Sequence, residues 1–293
     1  MSWTSQTIAL PVRMTRDTLF ALVEATDSAI STAPDLIAFD FEKLKALQVG
    51  GVTVLCNLTA LCRQLGIDVQ FVGADECPAR ELVLGSGLLD FGLDNAQVRK
   101  SSNEFLPIRL IEYDRSHGYT NNELIPWLAH KLGRDVRELG TLGACFAEVF
   151  NNIRDHSSFN VGCSAAHYDA VAGEATICFS DFGVGIPTRV RNAKPNVMVT
   201  DRNAIVMACR EGFTTKTTPR NRGAGLYVLS NYVVELCKGV LIITAGEGYY
   251  TCVPGTRKAK QAPAKYPGTM IRITLKKSDF KPDEVDEEDF RWD

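Results

Sequence analysis

Three polar residues at a regular spacing could do chemistry together: Glu148, Asn152 and His156 follow one another at intervals of four residues. Side chains at this interval stack along one face of a helix, so that face can present all three polar groups to one ligand. Apolar residues recur at helical spacing around them and predict packing on a sheet: Leu142, Cys145, Phe146, Val149, Phe150 and Ile153. An ordinary surface helix would show the same polar spacing.

A second motif places a carboxylate after a predicted strand. Residues 175–180 alternate β-branched and aromatic side chains, which predicts a strand, and Asp181-Phe182-Gly183-Val184-Gly185 follows. An aspartate that leaves a strand into a glycine turn is well placed to contact a ligand. An Asx turn without a ligand is the alternative explanation.

Glycines and a lysine form the third motif, Gly212-Phe213-Thr214-Thr215-Lys216 followed by Gly223-Ala224-Gly225-Leu226. Its second half opens an amphipathic segment, and a helix start leaves backbone N–H groups that face an anion. Lys216 would add a point charge there. Arg220 and Arg222 are close in sequence, but a solvated basic loop explains them equally well.

In this order, the three motifs resemble the ATP-binding domain of the GHKL superfamily, the Bergerat-fold group that contains DNA gyrase, histidine kinases and mismatch-repair ATPases. The resemblance implies that Asn152 ligates the Mg²⁺ bound to the triphosphate, and oxygen is the ligand that Mg²⁺ prefers. It implies that Glu148 is the catalytic base that orients or deprotonates the attacking water. For His156 we expect a phosphate-side or structural role.

The same resemblance assigns the remaining contacts with ATP. Asp181 would accept a hydrogen bond from the adenine amino group, while Gly183 and Gly185 would let the backbone approach the base. The lid and its last glycine box would hold the phosphates through four residues: Lys216, Gly223, Gly225 and Leu226. Thr269, at the start of the last strand, would touch Asp181 directly or through water, although Gly-Thr before a strand is common in any fold.

Two strands of one sheet are predicted near the end of the chain, at 239–244 and 268–275. The segment 251–267 is polar and carries three lysines and three prolines, which predicts a long loop. From Lys281 the chain holds seven acidic residues against two basic ones, which predicts a flexible acidic tail.

Strands alternate with helices in the first part of the chain, which predicts a parallel α/β layer. Strands are expected at 7–12, 36–41 and 66–73, and helices at 15–28 (with Thr15 as its cap) and 52–65. The segment 55–73, followed by Leu84-Gly85-Ser86-Gly87, resembles STAS domains, the fold of anti-sigma-factor antagonists. Where phosphorylatable members carry a serine, this chain has Leu47-Gln48-Val49-Gly50-Gly51. The resemblance therefore implies an interaction or sensing role and not a phospho-switch.

We expect an α/β protein with a STAS-like regulatory domain at 1–115, a Bergerat-fold α/β sandwich ATPase domain at 116–280 and the acidic tail at 281–293. A length of 293 residues, 45% of them hydrophobic, is enough for two cores.

No apolar run approaches the roughly 18 residues of a spanning helix, and a signal-peptide pattern is missing, so a cytoplasmic location without membrane contact is expected. Nine scattered cysteines without a Cys-x-x-Cys pair predict buried free thiols.

Three functions fit these motifs. We expect a regulatory ATPase that binds ATP and Mg²⁺ and whose nucleotide state controls contact with a regulatory protein partner. A serine/threonine kinase of the anti-sigma-factor type is the alternative, and a nucleotide-gated binding module that never hydrolyses ATP is the third. A histidine kinase is disfavoured, because neither His117 nor His130 has the sequence context of an acceptor. The net charge of −3 gives nucleic-acid binding little support, whereas a homodimer stays open.

Overall fold

The computed structural model describes residues 3–92, 104–154, 161–213 and 225–281. Its first part contains β1 Ser5–Ala9, β2 Arg13–Met14, α1 Arg16–Ile30, β3 Leu36–Asp40, β4 Ala46–Leu47, α2 Val49–Gln64, β5 Asp68–Val72, α3 Arg80–Gly85 and α4 Leu88–Gly92. The order β1-β3-β5 with parallel pairing confirms the predicted parallel α/β layer. Thr15 precedes α1 as expected, and its backbone N–H donates to Thr18 Oγ1 at 2.9 Å.

The second part is built on an antiparallel sheet of five strands in the order β6-β7-β8-β10-β9. Its elements are β6 Phe105–Glu112, α5 Tyr113–Tyr119, α6 Ile125–Leu132, α7 Gly140–Arg154, β7 Val161–Asp169, β8 Glu174–Asp181, α8 Gly185–Ala193, α9 Asp201–Ala208, α10 Gly225–Asn231, β9 Val240–Val253 and β10 Thr256–Lys276. Short π-helical turns follow α5 and α10, and a short 3-10 helix precedes α7. The predicted strands at 239–244 and 268–275 belong to β9 and β10, which pair as expected.

The five-stranded sheet begins before the boundary that the sequence suggested. Strand β6 pairs with β7, although it lies within 1–115 and β7 lies within 116–280. The two sheets also share one core, because α1 and α2 fill the space between them. The described chain therefore packs in four layers: the parallel sheet, α1 with α2, the five-stranded sheet, and helices α5 to α10.

Helix α2 lies in the middle of this stack and is buried nearly all round. Twelve of its sixteen residues are buried, among them Leu55 and Leu58, which have no exposed surface. A helix that is buried nearly all round needs a packing partner on nearly every side. Its polar Asn57 is satisfied by the sheet, because it donates to Ser180 Oγ at 2.8 Å and accepts from the Cys163 thiol at 2.8 Å.

The prediction of a loop at 251–267 was wrong, because these residues belong to a long β-hairpin. Strands β9 and β10 are joined by a tight turn with Gly255 at φ +70°. Two prolines of β10, Pro263 and Pro267, lie where the pairing with β9 shifts register on either side of Tyr266. Proline has no N–H to donate, so a strand tolerates it at such irregular places.

The cysteine prediction is confirmed, since all nine cysteines are buried free thiols. In the described ranges, helices long and apolar enough to cross a membrane are absent. The predicted acidic tail, except for its first residue, lies outside the described residues.

Candidate functional site

Helix α7 carries the first motif beside the end of β8. From Leu142 to Phe150 its apolar stripe is buried as predicted, with Phe146 and Phe150 against Phe179 at ring-centroid distances of 5.1 and 5.5 Å. The side chain of Ile153, the last predicted member of the stripe, lies outside what the structure describes. Glu148 and Asn152 are half-buried on the same helix. The aromatic packing thus fixes the polar edge of α7 next to the strand that ends at the second motif.

A pocket lies between this edge of α7 and the ends of β8 and β10. Its volume is about 20 Å³, and the empty space amounts to about 360 Å³ when the part open to solvent is counted. The lining residues come from α7, β8, α8, α10 and β10: Val149, Asn152, Phe179, Ser180, Asp181, Ile186, Arg189, Leu226, Thr269 and Ile271. Four residues named from the sequence therefore lie together, although they belong to separate parts of the chain: Asn152, Asp181, Leu226 and Thr269.

Asp181 contributes a buried carboxyl group to this pocket and is only 6% exposed. Burial raises its pKa from 3.8 to about 7, while the nearby Arg189 guanidinium and a hydrogen bond from the Gly183 N–H act in the opposite direction. Above pH 7 the group is a charged acceptor in a buried place, where a hydrogen bond is stronger than in water. Thr269 lies opposite Asp181 in the antiparallel pairing of β8 with β10.

Gly185 and Gly268 allow two backbone segments to meet beside the pocket. Gly185 has φ +72°, and a Cβ placed there would stand 2.8 Å from the Gly268 carbonyl oxygen. Gly268 has φ +110°, and a Cβ there would overlap the Asp181 carbonyl oxygen and crowd the Gly183 nitrogen. Side chains at these positions would push the turn after β8 away from β10. The second motif thus needs glycine at 185 for close packing, and Gly268 is a partner that the motif did not reveal.

The third motif meets the first at Gly225. This glycine begins α10, and a Cβ added to it would overlap Cγ of Glu148. Among the described residues, Glu148 lies beside the pocket and not in its wall, and its carboxylate accepts a hydrogen bond from Asn151 Nδ2 at 3.2 Å. Leu226, one residue after Gly225, lines the pocket. Five residues considered in the sequence lie outside the described ranges: Lys216, Gly223, His156, Arg220 and Arg222.

Arg189 is a pocket residue that the motifs did not identify. It lies on α8 and donates from Nη2 to the Asn152 backbone oxygen at 2.8 Å, and its charge lowers the pKa of Asp181. The sequence did hold a signal, because Ile186, Arg189 and Val190 have helical spacing and the two apolar members are buried. A cation within such a stripe indicates a carboxylate or a ligand on the facing element.

The arrangement offers a buried acceptor at Asp181, apolar walls and a polar edge at Asn152. These groups match the chemistry of a flat ring with hydrogen-bonding groups and a polar tail, and the pocket would have to widen to admit it. In the described part of the chain, no group of three or more His, Cys, Asp or Glu side chains could hold a metal ion. Comparison with known proteins found no family model that matches the chain, and none of the curated proteins matches it either.

Proposed function

We propose that this chain is a GHKL-type regulatory ATPase of the Bergerat fold, which binds ATP and Mg²⁺ in the Asp181 pocket and whose nucleotide state controls contact with a protein partner. One observation carries the proposal: residues that the resemblance selects from four separate parts of the sequence line one pocket. Chance matches to short motifs would be scattered over the molecule.

The adenine ring would lie against Val149, Ile186 and Ile271, with its amino group toward Asp181. Adenine has apolar faces and a hydrogen-bonding edge, which matches apolar walls around a buried carboxylate. An ionised Asp181 only accepts hydrogen bonds, so it favours a ring with an amino group over one with a carbonyl oxygen at that place. ATP is therefore expected to bind at least about tenfold more tightly than GTP.

Mg²⁺ would be held at the open edge of the pocket. The ion takes oxygen ligands in an octahedron and usually few of them from protein, so Asn152 would supply one and phosphate and water the others. Glu148 lies one helical turn earlier on the same face of α7 and would hold the attacking water. Its contact with Gly225 brings it to the end of the proposed lid.

The lid, which includes Lys216 and Gly223, would order on the phosphates and change the surface that a partner meets. The STAS-like part is a second candidate for partner contact. Its helices α1 and α2 pack on the same sheet that holds Asp181 and Thr269, so both parts act as one body. This packing supports regulation through the shared sheet.

Calorimetric titration with ATP in the presence of Mg²⁺ tests the pocket. Asp181→Ala is expected to abolish binding, because the substitution removes the adenine acceptor. Asp17→Ala changes an aspartate whose side chain is 69% exposed on α1, and it should bind like wild type. Unchanged ATP affinity in Asp181→Ala would remove the pocket assignment.

Incubation with γ-labelled ATP then separates the three functions. Glu148→Ala should keep ATP affinity and release no free phosphate, whereas Glu81→Ala, at a side chain that is 91% exposed, should hydrolyse ATP like wild type. Hydrolysis at the wild-type rate in Glu148→Ala would show that the base is elsewhere. Label on a candidate partner would make the protein a kinase, and ATP binding with neither signal would make it a nucleotide-gated module.

A further inference from the structure

A second cavity, of about 380 Å³, lies on the opposite face of the five-stranded sheet from the Asp181 pocket. It is partly open to solvent and is bounded by β4, the first turns of α2, α3 and strands β6, β7, β8 and β10. Proteins bind small ligands in cavities of this size. The motifs assigned to ATP do not reach it.

Strand pairing arranges the floor of this second cavity in rows. The inner row holds Arg272, and the next holds Thr176 opposite Thr274. In the outer row Glu174 lies between Asp169 of β7 and the exposed Lys276 of β10, which does not line the cavity. The row of Arg272 crosses β8 four residues from Glu174, which is about 13 Å along an extended strand. The floor therefore has a basic inner end, and its outer end carries two carboxylates and one exposed lysine.

Apolar side chains form the roof: Leu47, Val49, Val52 and Leu82. Phe105 of β6 lies opposite His167 in the sheet and contacts it at the edge of the floor, with ring centroids 4.5 Å apart. Burial lowers the pKa of His167 below 6.5, so this imidazole is neutral at pH 7. A ligand here would place an apolar body under the roof and its polar groups on the floor.

Arg272 has no carboxylate partner among the described residues. Its Nη1 donates to Gln48 Oε1 at 3.1 Å, which is a neutral acceptor. Burial, and to a smaller extent the like charge of Arg16, lowers the pKa of the Arg272 guanidinium. A partly buried cation without an anion is unfavourable, and an anionic group in contact with it would offset this cost.

We propose that the second cavity binds a small organic acid, with its anionic group against Arg272 and its apolar body under Leu47 and Val52. The two ends of the floor favour this orientation, because the carboxylates of Asp169 and Glu174 outnumber the single Lys276 of the outer row and repel an anion. Between these ends, the hydroxyls of the middle row offer polar contacts to the ligand.

NMR titration of the full-length protein with 3-phenylpropionate tests this site, because the probe carries one carboxylate on an apolar body. We expect saturable binding that becomes at least about tenfold weaker in Arg272→Gln, since a charge-assisted contact is lost. Arg115→Gln removes the same charge from an 83% exposed side chain of α5 and should bind like wild type. Leu82→Trp fills the cavity from α3 while keeping Arg272, and it should weaken binding as well.

Phenyl phosphate in a parallel titration shows whether carboxylate or phosphate is preferred, and 3-phenylpropanol is the neutral control that should bind at least about tenfold more weakly than the acid. The proposal is overturned if neither acid binds saturably, if the alcohol binds as tightly as the acid, or if Leu82→Trp binds like wild type. Folding of each variant is checked by circular dichroism. If Arg272→Gln does not fold, ligand binding by Leu82→Trp tests the proposal instead. Because nucleotide is left out, the result is independent of ATP binding.

Discussion

Helices α2 and α7 cover opposite faces of the same sheet and differ in what their outer sides meet. A second sheet lies behind α2, and twelve of its sixteen residues are buried. On α7, Glu148 and Asn152 keep part of their surface exposed. The polar Asn57 of α2 is used inside the protein, where it bonds to Ser180 at 2.8 Å, whereas the polar edge of α7 borders a pocket. A candidate site thus arises where the packing of a helix stops short of its polar edge.

Removal of residues 1–103 should destabilise the five-stranded sheet more than any substitution described below. It strips α1 and α2 from the sheet and exposes apolar side chains such as Met270 and Ala165, which are buried at present. We expect fragment 104–281 to lose cooperative unfolding and to bind hydrophobic dyes. Coexpression with fragment 1–103 should restore the fold. A soluble, cooperatively folded fragment 104–281 on its own would show that the two parts are independent domains.

Leu58→Ala tests whether α2 belongs to one cooperative unit. The side chain is fully buried, so urea unfolding should show a loss of about 2–5 kcal/mol in a single transition. Leu65→Ala, at the end of the same helix and 54% exposed, should change stability by less than about 0.5 kcal/mol. Two separate transitions, with only one of them shifted, would contradict a shared core.

Asp181→Asn tests how much the buried carboxyl group on the α7 side of the sheet lowers the free energy of unfolding. Because the folded pKa is raised to about 7 from 3.8, the unfolded chain releases this proton first, and wild-type stability falls as the pH rises from 4 to 7. The variant lacks this loss and should be more stable than wild type by about 2–4 kcal/mol above pH 7, with the difference vanishing toward pH 4. Urea unfolding at several pH values measures it. If the difference in unfolding free energy between variant and wild type did not depend on pH, the pKa of Asp181 would not be raised in the folded protein.

Gly225→Ala should change stability less than Leu58→Ala or Asp181→Asn. Alanine favours a helix and the Glu148 side chain can rotate away, so a change within about 1 kcal/mol is expected. The displaced Glu148 should lower ATP hydrolysis, measured as phosphate release. ATP affinity should change little, because alanine keeps the backbone N–H at position 225. Gly143→Ala on α7, where a Cβ would meet Ile125 at an ordinary 3.6 Å, is the matched control and should leave hydrolysis unchanged. Equal rates of ATP hydrolysis in Gly225→Ala and Gly143→Ala would show that Glu148 does not take part in hydrolysis.

Local pattern was sufficient for many elements of the fold. The helix expected at 52–65 is α2, which begins three residues earlier, and the strand expected at 36–41 is β3 with nearly the same bounds. Both signals are local, since apolar spacing and β-branched content act within a few residues. The β-hairpin at 251–267 was missed because its lysines and prolines are typical of a loop. Only the pairing of β10 with β9 shows that these residues form strands.

The candidate site was predictable to a similar extent. Asn152 and Asp181 stand in motifs that can be recognised in sequence, and both line the pocket. For Arg189 the sequence held only its helical spacing with Ile186 and Val190, because the importance of this residue depends on α8 lying beside β8 and α7. Gly268 is similar, since only the contact of two strand ends requires a glycine there.

By itself, the sequence determined the helical spacing of Glu148 and Asn152, the strand before Asp181 and the parallel α/β character of the first part. These properties depend on neighbours in the chain. Only the tertiary structure decided that β6 joins the second sheet, that α2 is enclosed between two sheets, and that Arg272 meets Gln48 across the second cavity. Such contacts join residues far apart in sequence, and strand pairing and layer packing, which no local pattern encodes, bring them together.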